Sequence, residues 1–161
     1  MQKPAGYHGP RRTPARWRPI LRGNRPIILH VTVCTTRKRQ ILANREVHDA
    51  LLCAWSKADR WQVGTYVIMP EHCHLFCSPA SPTIPSLRNW VGYWKRLAGD
   101  ELSCLKSAWI RDCWDTQMRS QGHYLRKLGY VKRNPVRRGL VPEAELWPYQ
   151  GTMSPLNWIS G

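Results

Sequence analysis

The stretch Trp61-Gln62-Val63-Gly64-Thr65-Tyr66-Val67-Ile68-Met69-Pro70-Glu71-His72-Cys73-His74-Leu75-Phe76-Cys77 decides the fold. Trp61 to Met69 is an alternating run rich in β-branched and aromatic residues, the pattern of a strand. Gly64 marks a bulge or turn inside it. Pro70-Glu71 interrupts the run, since proline brings no N–H to a ladder. His72 to Cys77 reads as a second strand, ended by Ser78-Pro79, so the two runs make a hairpin or a kinked pair. Side chains alternate along a strand. His72 and His74 therefore share one face, while Cys73 and Leu75 point the other way, into a core.

Upstream, Ile27 to Thr35 is β-branched and apolar, with His30 and Thr32 interleaved, and reads as a strand. Arg37-Lys38-Arg39 follows as a basic turn or strand end. Over residues 45–60 the period changes. Val47, Ala50, Leu51, Ala54, Trp55 and Ala58 fall at three- and four-residue steps, which predicts an amphipathic helix. Downstream, a Pro/Ser loop covers residues 78–86. Leu87, Trp90, Val91, Trp94 and Leu97 then predict a second helix to about Asp100. Trp109 to Trp114 reads as a short extended segment. Residues 120–134 read as a third helix, with Ser120 as N-cap, Pro135 after its end, and Leu125, Leu128 and Val131 on its buried side. The order of strand, helix, two strands, helix, extended piece and helix is an α+β pattern. It predicts a ferredoxin-like antiparallel sheet with helices packed on one face.

The chain has 161 residues and 42% apolar residues, which suits one domain with a real core. No apolar run approaches the roughly 20 residues of a membrane helix, so no membrane partner is expected. Residues 1–26 hold five prolines and seven basic residues without an acid, and read as a flexible N-terminal arm rather than a secretory leader. The expected division is this arm at 1–26, one catalytic domain at 27–149 and a C-terminal tail at 150–161.

The net charge is +15, and it is uneven. Residues 1–45 carry 11 basic side chains and no acidic one; residues 102–138 carry nine against Asp112 and Asp115; the stretch between is near neutral. Two basic blocks around a neutral middle suit a polyanion, with nucleic acid the first expectation. Of the nine Trp, most are expected to pack, though Trp17 between Arg16 and Arg18, and Trp94 before Lys95 and Arg96, stand where they could stack on unpaired bases. The six Cys sit within apolar runs, which reads as buried free thiols in a cytoplasmic protein. A structural zinc site at Cys73 and Cys77 is disfavoured, because both face away from the two His.

Two clusters carry chemistry. His72 and His74, at i and i+2 on a strand, stand close enough to share one ion, though such a pair is also a common structural feature. In Gly129-Tyr130-Val131-Lys132-Arg133-Asn134-Pro135, Tyr130 and Asn134 lie one helical turn apart, with Arg126, Lys127 and Arg133 around them. The cations would steady negative charge at the phenol oxygen, and the Asn134 carboxamide oxygen suits a third ligand beside two imidazoles. The plainer alternative is a surface helix with a half-buried Tyr.

Taken together, Val67-Ile68-Met69-Pro70-Glu71-His72-Cys73-His74-Leu75 resembles the His-hydrophobic-His metal motif of the single-tyrosine HUH transposases (the IS200-like family). Tyr130-Val131-Lys132-Arg133-Asn134-Pro135-Val136-Arg137-Arg138-Gly139-Leu140-Val141 resembles their catalytic-helix signature, most of all that of the REP-associated tyrosine transposases. Trp114-Asp115 and Trp147-Pro148-Tyr149 also match that subgroup, and the resemblance runs from about Ile27 to Tyr149. Cys73 is smaller than the bulky aliphatic residue usual between the two His.

The resemblance implies a ferredoxin-like sheet with the catalytic Tyr on a following helix. It implies Tyr130 as nucleophile and His72, His74 and Asn134 as ligands of Mg²⁺ or Mn²⁺. The activity it implies is metal-dependent cleavage and joining of single-stranded DNA through a 5′-phosphotyrosine, at DNA hairpins and without a nucleotide cofactor. DNA contacts are expected from Arg16, Arg18, Arg37, Lys38, Arg39, Lys95, Arg96, Arg126, Lys127, Lys132, Arg133, Arg137 and Arg138. Monomer and homodimer both remain open, and the implied location is the bacterial cytoplasm at the nucleoid. The competing reading is a ferredoxin-like module that binds nucleic acid without cutting it.

Overall fold

The computed structural model describes residues 26–81 and 83–158. Residues 1–25 of the arm expected at 1–26, with Arg16, Trp17 and Arg18, lie outside the described residues. Among the described residues five strands form one sheet in the order β4-β1-β3-β2-β5, every pairing antiparallel. They are β1 (Leu29–Cys34), β2 (Trp61–Ile68), β3 (His72–Pro79), β4 (Trp114–Gln117) and β5 (Gln150–Thr152). Helices α1 (Arg45–Lys57) and α2 (Leu87–Glu101) connect β1 to β2 and β3 to β4. This is the ferredoxin-like βαββαβ arrangement, extended at one edge by β5.

Helix starts follow local capping chemistry. Asn44 accepts from the Val47 N–H at 3.0 Å, and Ser86 caps α2 through the Asn89 N–H at 3.1 Å. Ser120 caps α3 (Gln121–Lys132) through the His123 N–H at 3.0 Å, as its sequence position predicts. These bonds satisfy donors that the first helical turn leaves without partners.

Face selection is set by alternation. Leu29, Val31 and Val33 of β1 and Cys73, Leu75 and Cys77 of β3 point to one side. On β2, Trp61 and Val63 point the same way, and so do Tyr66 and Ile68, although the parity has changed. The register shift between Val63 and Tyr66 restores the match. Gly64 sits in this bulge, where an added Cβ would lie 2.6 Å from Leu156 Cδ1. Under α1 and α2, this face buries Trp55, Trp61, Trp90 and Trp94, with Trp94 edge-to-face against Trp55 and Trp90 and the Trp61 ring tilted against Trp90. Trp94 is 0% exposed, so it belongs to the core and offers no ring for base stacking.

The other face carries Ile28, Val67 and Phe76 beneath α3. The third helix buries Tyr124, Leu128 and Val131, not Leu125, which is 55% exposed. One residue rotates a helix by about 100°, and the large Tyr124 ring, packed edge-on against Phe76, takes the inward position. Nor does the helix run unbroken to 134. It ends at Lys132, and Asn134–Arg137 forms a further helical turn, α4, with Pro135 at its start.

The extended segment expected at Trp109–Trp114 is displaced: only Trp109 bridges to Thr35, and the strand proper is Trp114–Gln117. Three of its four residues are polar and all four are half-buried, at the end of the sheet formed by the described residues, so apolar patterning gives little signal there. Gln150–Thr152, placed in the tail by sequence, pairs with β2. Among the described residues no helix is long and apolar enough to cross a membrane.

Candidate active site

His72 and His74 lie on the α3 side of β3, two residues apart. Their Nε2 atoms stand 3.0 Å from each other. Asn134, the first residue of α4, brings its carboxamide to 2.8 Å from His74 Nε2 and 3.4 Å from His72 Nε2. Three polar ends from two elements, 60 positions apart in sequence, thus meet at one point.

The outer partners of each imidazole explain why the Nε2 atoms converge. His72 Nδ1 lies 3.1 Å from Glu71 Oε1, an acceptor-only carboxylate, so His72 donates from Nδ1 and keeps a lone pair on Nε2. Arg138 holds Glu71 through both of its carboxylate oxygens. His74 Nδ1 has two partners across the β1–β3 ladder, Thr32 Oγ1 and His30 Nε2, each at 3.1 Å. Either can accept from Nδ1–H, and in that tautomer the Nε2 lone pair faces inward. The His30 ring stacks on His74 with centroids 5.1 Å apart.

Burial keeps these imidazoles neutral. It pushes His30 down to about 3, helped by the charges of Lys127, His72 and His123. It also holds His74 well below the ordinary histidine range. For His72 burial again dominates and lowers the pKa, although Glu71 works against it. Burial alone would raise Glu71; the Arg138 hydrogen bond and the His72 and Arg138 charges bring it below the usual carboxylate value.

The donor set fits a small divalent ion. Neutral imidazole lone pairs are the form that binds metal. With the Asn134 amide turned so that Oδ1 replaces Nδ2, three donor atoms lie 2.8, 3.0 and 3.4 Å apart. Adjacent ligands of an octahedral ion with bonds of about 2.1 Å are separated by about 3 Å. No group of three or more His, Cys, Asp or Glu is arranged for a metal among the described residues, so the amide is what completes this set. The cysteines form no alternative cluster among the described residues: all six are free, none stands in a group of three or more His, Cys, Asp or Glu arranged for a metal, and burial raises the Cys73 and Cys77 thiols above their ordinary range.

Tyr130 stands on α3 one turn before Asn134 and is 43% exposed. Two cations stand over its ring, with Arg137 Cζ at 4.3 Å and Lys127 Nζ at 5.6 Å from the centroid. His123, Lys127, Tyr130 and Asn134 form one polar line along the helix, beside the apolar line of Tyr124, Leu128 and Val131.

The end of α4 makes the motif intelligible. Gly139 has φ +70°, its N–H donates to Val136 O and the next N–H, of Leu140, donates to Pro135 O. That pairing is a Schellman cap, and its left-handed residue favours glycine. The cap ends the turn just after Arg138, which reaches Glu71.

Of the residues expected to contact DNA, Arg126, Lys132, Arg133 and Arg137 are exposed on α3 and α4, and Lys127 is half-buried. Arg37, Lys38 and Arg39 are exposed on a turn pinned beside the site, since Thr35 donates from both N and Oγ1 to Glu71 O. Arg96 is exposed on α2 over the Tyr93 ring. Lys95 is mostly buried and donates to Ile110 O at 2.8 Å. Arg138 is committed to Glu71. Sequence reasoning gave no role to His30, Thr32 or Glu71. Their signal was parity, because His30 and Thr32 alternate on β1 as His72 and His74 do on β3.

No family model matches the chain. A curated relative, the REP-associated tyrosine transposase of Escherichia coli (strain K12), is 26% identical over 95 residues, or 58% of this chain. The match spans 56% of that relative, a little over half its length. Among solved structures, a REP-associated tyrosine transposase bound to a REP hairpin superposes with a TM-score of 0.70 at 22% identity, covering 84% of this chain and 79% of its own. A putative transposase from Deinococcus radiodurans R1 gives a TM-score of 0.49 at 18% identity, over 73% of this chain and 95% of its own. Over 58% of its length this chain is similar in sequence to a REP-associated tyrosine transposase, and over 84% it shares the fold of one.

Proposed function

We propose that this protein cleaves and rejoins single-stranded DNA beside a hairpin, in a metal-dependent transesterification with Tyr130 as nucleophile. The observation that carries the reading is the meeting of His72, His74 and Asn134 at one point, one helical turn from an exposed Tyr with two cations over its ring. The relative that binds a REP hairpin supports the choice of substrate.

Tyr130 Oη attacks the scissile phosphorus as its proton leaves. The bond from phosphorus to the 3′ oxygen breaks, and that oxygen departs as a 3′-hydroxyl after taking up a proton. The 5′-phosphate stays on Tyr130. Attack by another 3′-hydroxyl reverses the exchange and restores the phenol. One phosphodiester replaces another, so no nucleotide cofactor is consumed. A divalent ion at His72, His74 and Asn134, Mg²⁺ or Mn²⁺, would supply charge to offset that developing on the phosphoryl oxygens. Arg137 and Lys127 hold the Tyr130 ring and add positive charge beside it. Lys132, Arg133 and the Arg37–Arg39 turn offer phosphate contacts that position without reading sequence.

The test is incubation with hairpin oligonucleotides carrying a single-stranded flank, with and without Mg²⁺ or Mn²⁺, followed by a denaturing gel. A metal-dependent protein–DNA adduct is expected, and Tyr130→Phe should lose it while retaining binding. Salt-sensitive binding with no adduct under any metal would establish a binding module instead.

A further inference from the structure

Two concavities differ in charge. One, of about 680 Å³, lies between the α3–α4 segment and β5, and its Lys132 and Arg133 are matched by Glu143 and Glu145. The other, of about 440 Å³, lies between α2 and the segment after it. Lys95, Arg96, Lys106 and Arg111 line it against Asp100 alone. Arg96, Lys106 and Arg111 are exposed, and among the described residues none of them pairs with a carboxylate. Lys95 is mostly buried, and its ammonium, with three N–H donors, makes one hydrogen bond, to Ile110 O. Burial lowers the Lys95 pKa although Asp112 works against it, and an anion at this place would favour the charged ammonium further.

This second cleft is joined to the active site by the backbone. Thr35 donates to Glu71 O on one side and bridges Trp109 on the other. Thr36 N–H donates to Ala108 O, and Ile110 N–H donates to Cys34 O. Glu71 and Trp109 are thus two strand spacings apart, about 10 Å. Arg37, Lys38 and Arg39 leave the sheet between them, all exposed. Positive side chains therefore continue from the turn beside His72, around the end of the sheet, into the cleft beside α2.

We propose that this cleft binds the sugar–phosphate backbone of the DNA strand running on from the active site. The assignment rests on the reading of Tyr130 and its neighbours as a DNA-processing site, and adds a contact beyond the hairpin. Arg37–Arg39 carry the strand around the sheet end, and Lys106 and Arg111 hold its phosphates from the far rim, with Lys95 at the floor. No base reading is implied, because these are ionic contacts to phosphate.

The test uses the full chain and fluorescence anisotropy on two oligonucleotides: a hairpin with a flank of a few nucleotides, and the same hairpin with its flank extended by about 12 nucleotides. Each is titrated from about 50 to 200 mM salt. The wild-type protein should bind the extended strand more tightly and with a steeper salt dependence. In the double variant Lys106→Ala/Arg111→Ala, affinity for the extended strand should fall about 10-fold, and the slope of log K against log salt should lessen by about 1.4, two single-strand phosphate contacts. Affinity for the short hairpin should stay within about 2-fold. Both side chains are exposed, and an unchanged circular dichroism spectrum confirms the fold. Equal binding of the extended strand by the variant and the wild type overturns the proposal, as does an equal loss on both oligonucleotides. The assay reads binding alone. A protein that behaves as expected here but forms no tyrosine adduct keeps this surface and loses the cleavage reading.

Discussion

The two faces of the sheet are built from alternate residues of the same strands. Val31, Val33, Cys73 and Leu75 face α1 and α2 in a core rich in tryptophan. Their immediate neighbours Thr32, His72 and His74 face α3, in a hydrogen-bonded imidazole cluster. A strand separates these environments by one residue, so stability and chemistry are encoded in the same stretch without sharing positions. The first face should answer to volume and the second to donor identity. Substitutions on each should therefore fail in different ways.

The largest separation is expected at His74. Replacing it with Ala removes a donor atom and the partner of Asn134, and adduct formation should fall at least about 1000-fold, as for loss of a main electrostatic contact at a reacting group. Thermal unfolding should change little in comparison. An adduct at wild-type rate in His74→Ala would end the assignment of this face. On the opposite face, Trp94→Ala should cost about 3–5 kcal/mol of stability through lost contact and a cavity. Adduct yield per folded molecule should stay near wild type. Urea unfolding, paired with the gel assay on the same preparation, reads both.

Glu71 sharpens the comparison at a smaller scale, because it acts through His72. Glu71→Leu removes the acceptor that fixes the His72 Nδ1–H tautomer. Mn²⁺ affinity should fall about 10- to 100-fold, the usual cost of losing such an outer partner. Glu71→Gln keeps an acceptor oxygen and should recover most of it. The tautomer itself is visible by long-range ¹⁵N NMR of the metal-free protein, where His72 should carry its proton on Nδ1 in the wild type and lose that preference in Glu71→Leu. A merely structural role would leave the tautomer unmoved.

Much of this was legible in sequence where a pattern had a physical cause. Alternation placed His72 and His74 together, the proline-interrupted hairpin was visible, and Ser120 announced the start of α3. The four-residue step from Tyr130 to Asn134 survived even though α3 ends at Lys132, because the Arg133 backbone stays helical across the join. What was not legible depends on tertiary partners. β4 has three polar residues beside Trp114 and pairs with β1, and β5 is only three residues long. Arg138 reads as another phosphate contact, and its pairing with Glu71, 67 positions away, leaves no mark in the sequence. Trp94 looked available to bases because Lys95 and Arg96 follow it, yet helical rotation sends those neighbours to other faces of α2.

Gly139 offers the smallest effect and the cleanest one. Its φ of +70° disfavours side chains, but an ideal Cβ there would meet no atom within 4 Å. Gly139→Ala therefore tests backbone conformation without adding a clash, at a cost of about 1–2 kcal/mol. Part of that strain can be relieved by loosening the cap, which would move Arg138 away from Glu71 and α4 away from the imidazoles. A modest loss of stability should then come with a loss of Mn²⁺ affinity, and Gly139→Asn, which tolerates the left-handed region better, should restore part of both. A stability loss with unchanged Mn²⁺ affinity would show that the cap ends the helix but does not hold the polar face in register. The imidazole cluster would then depend on the sheet alone.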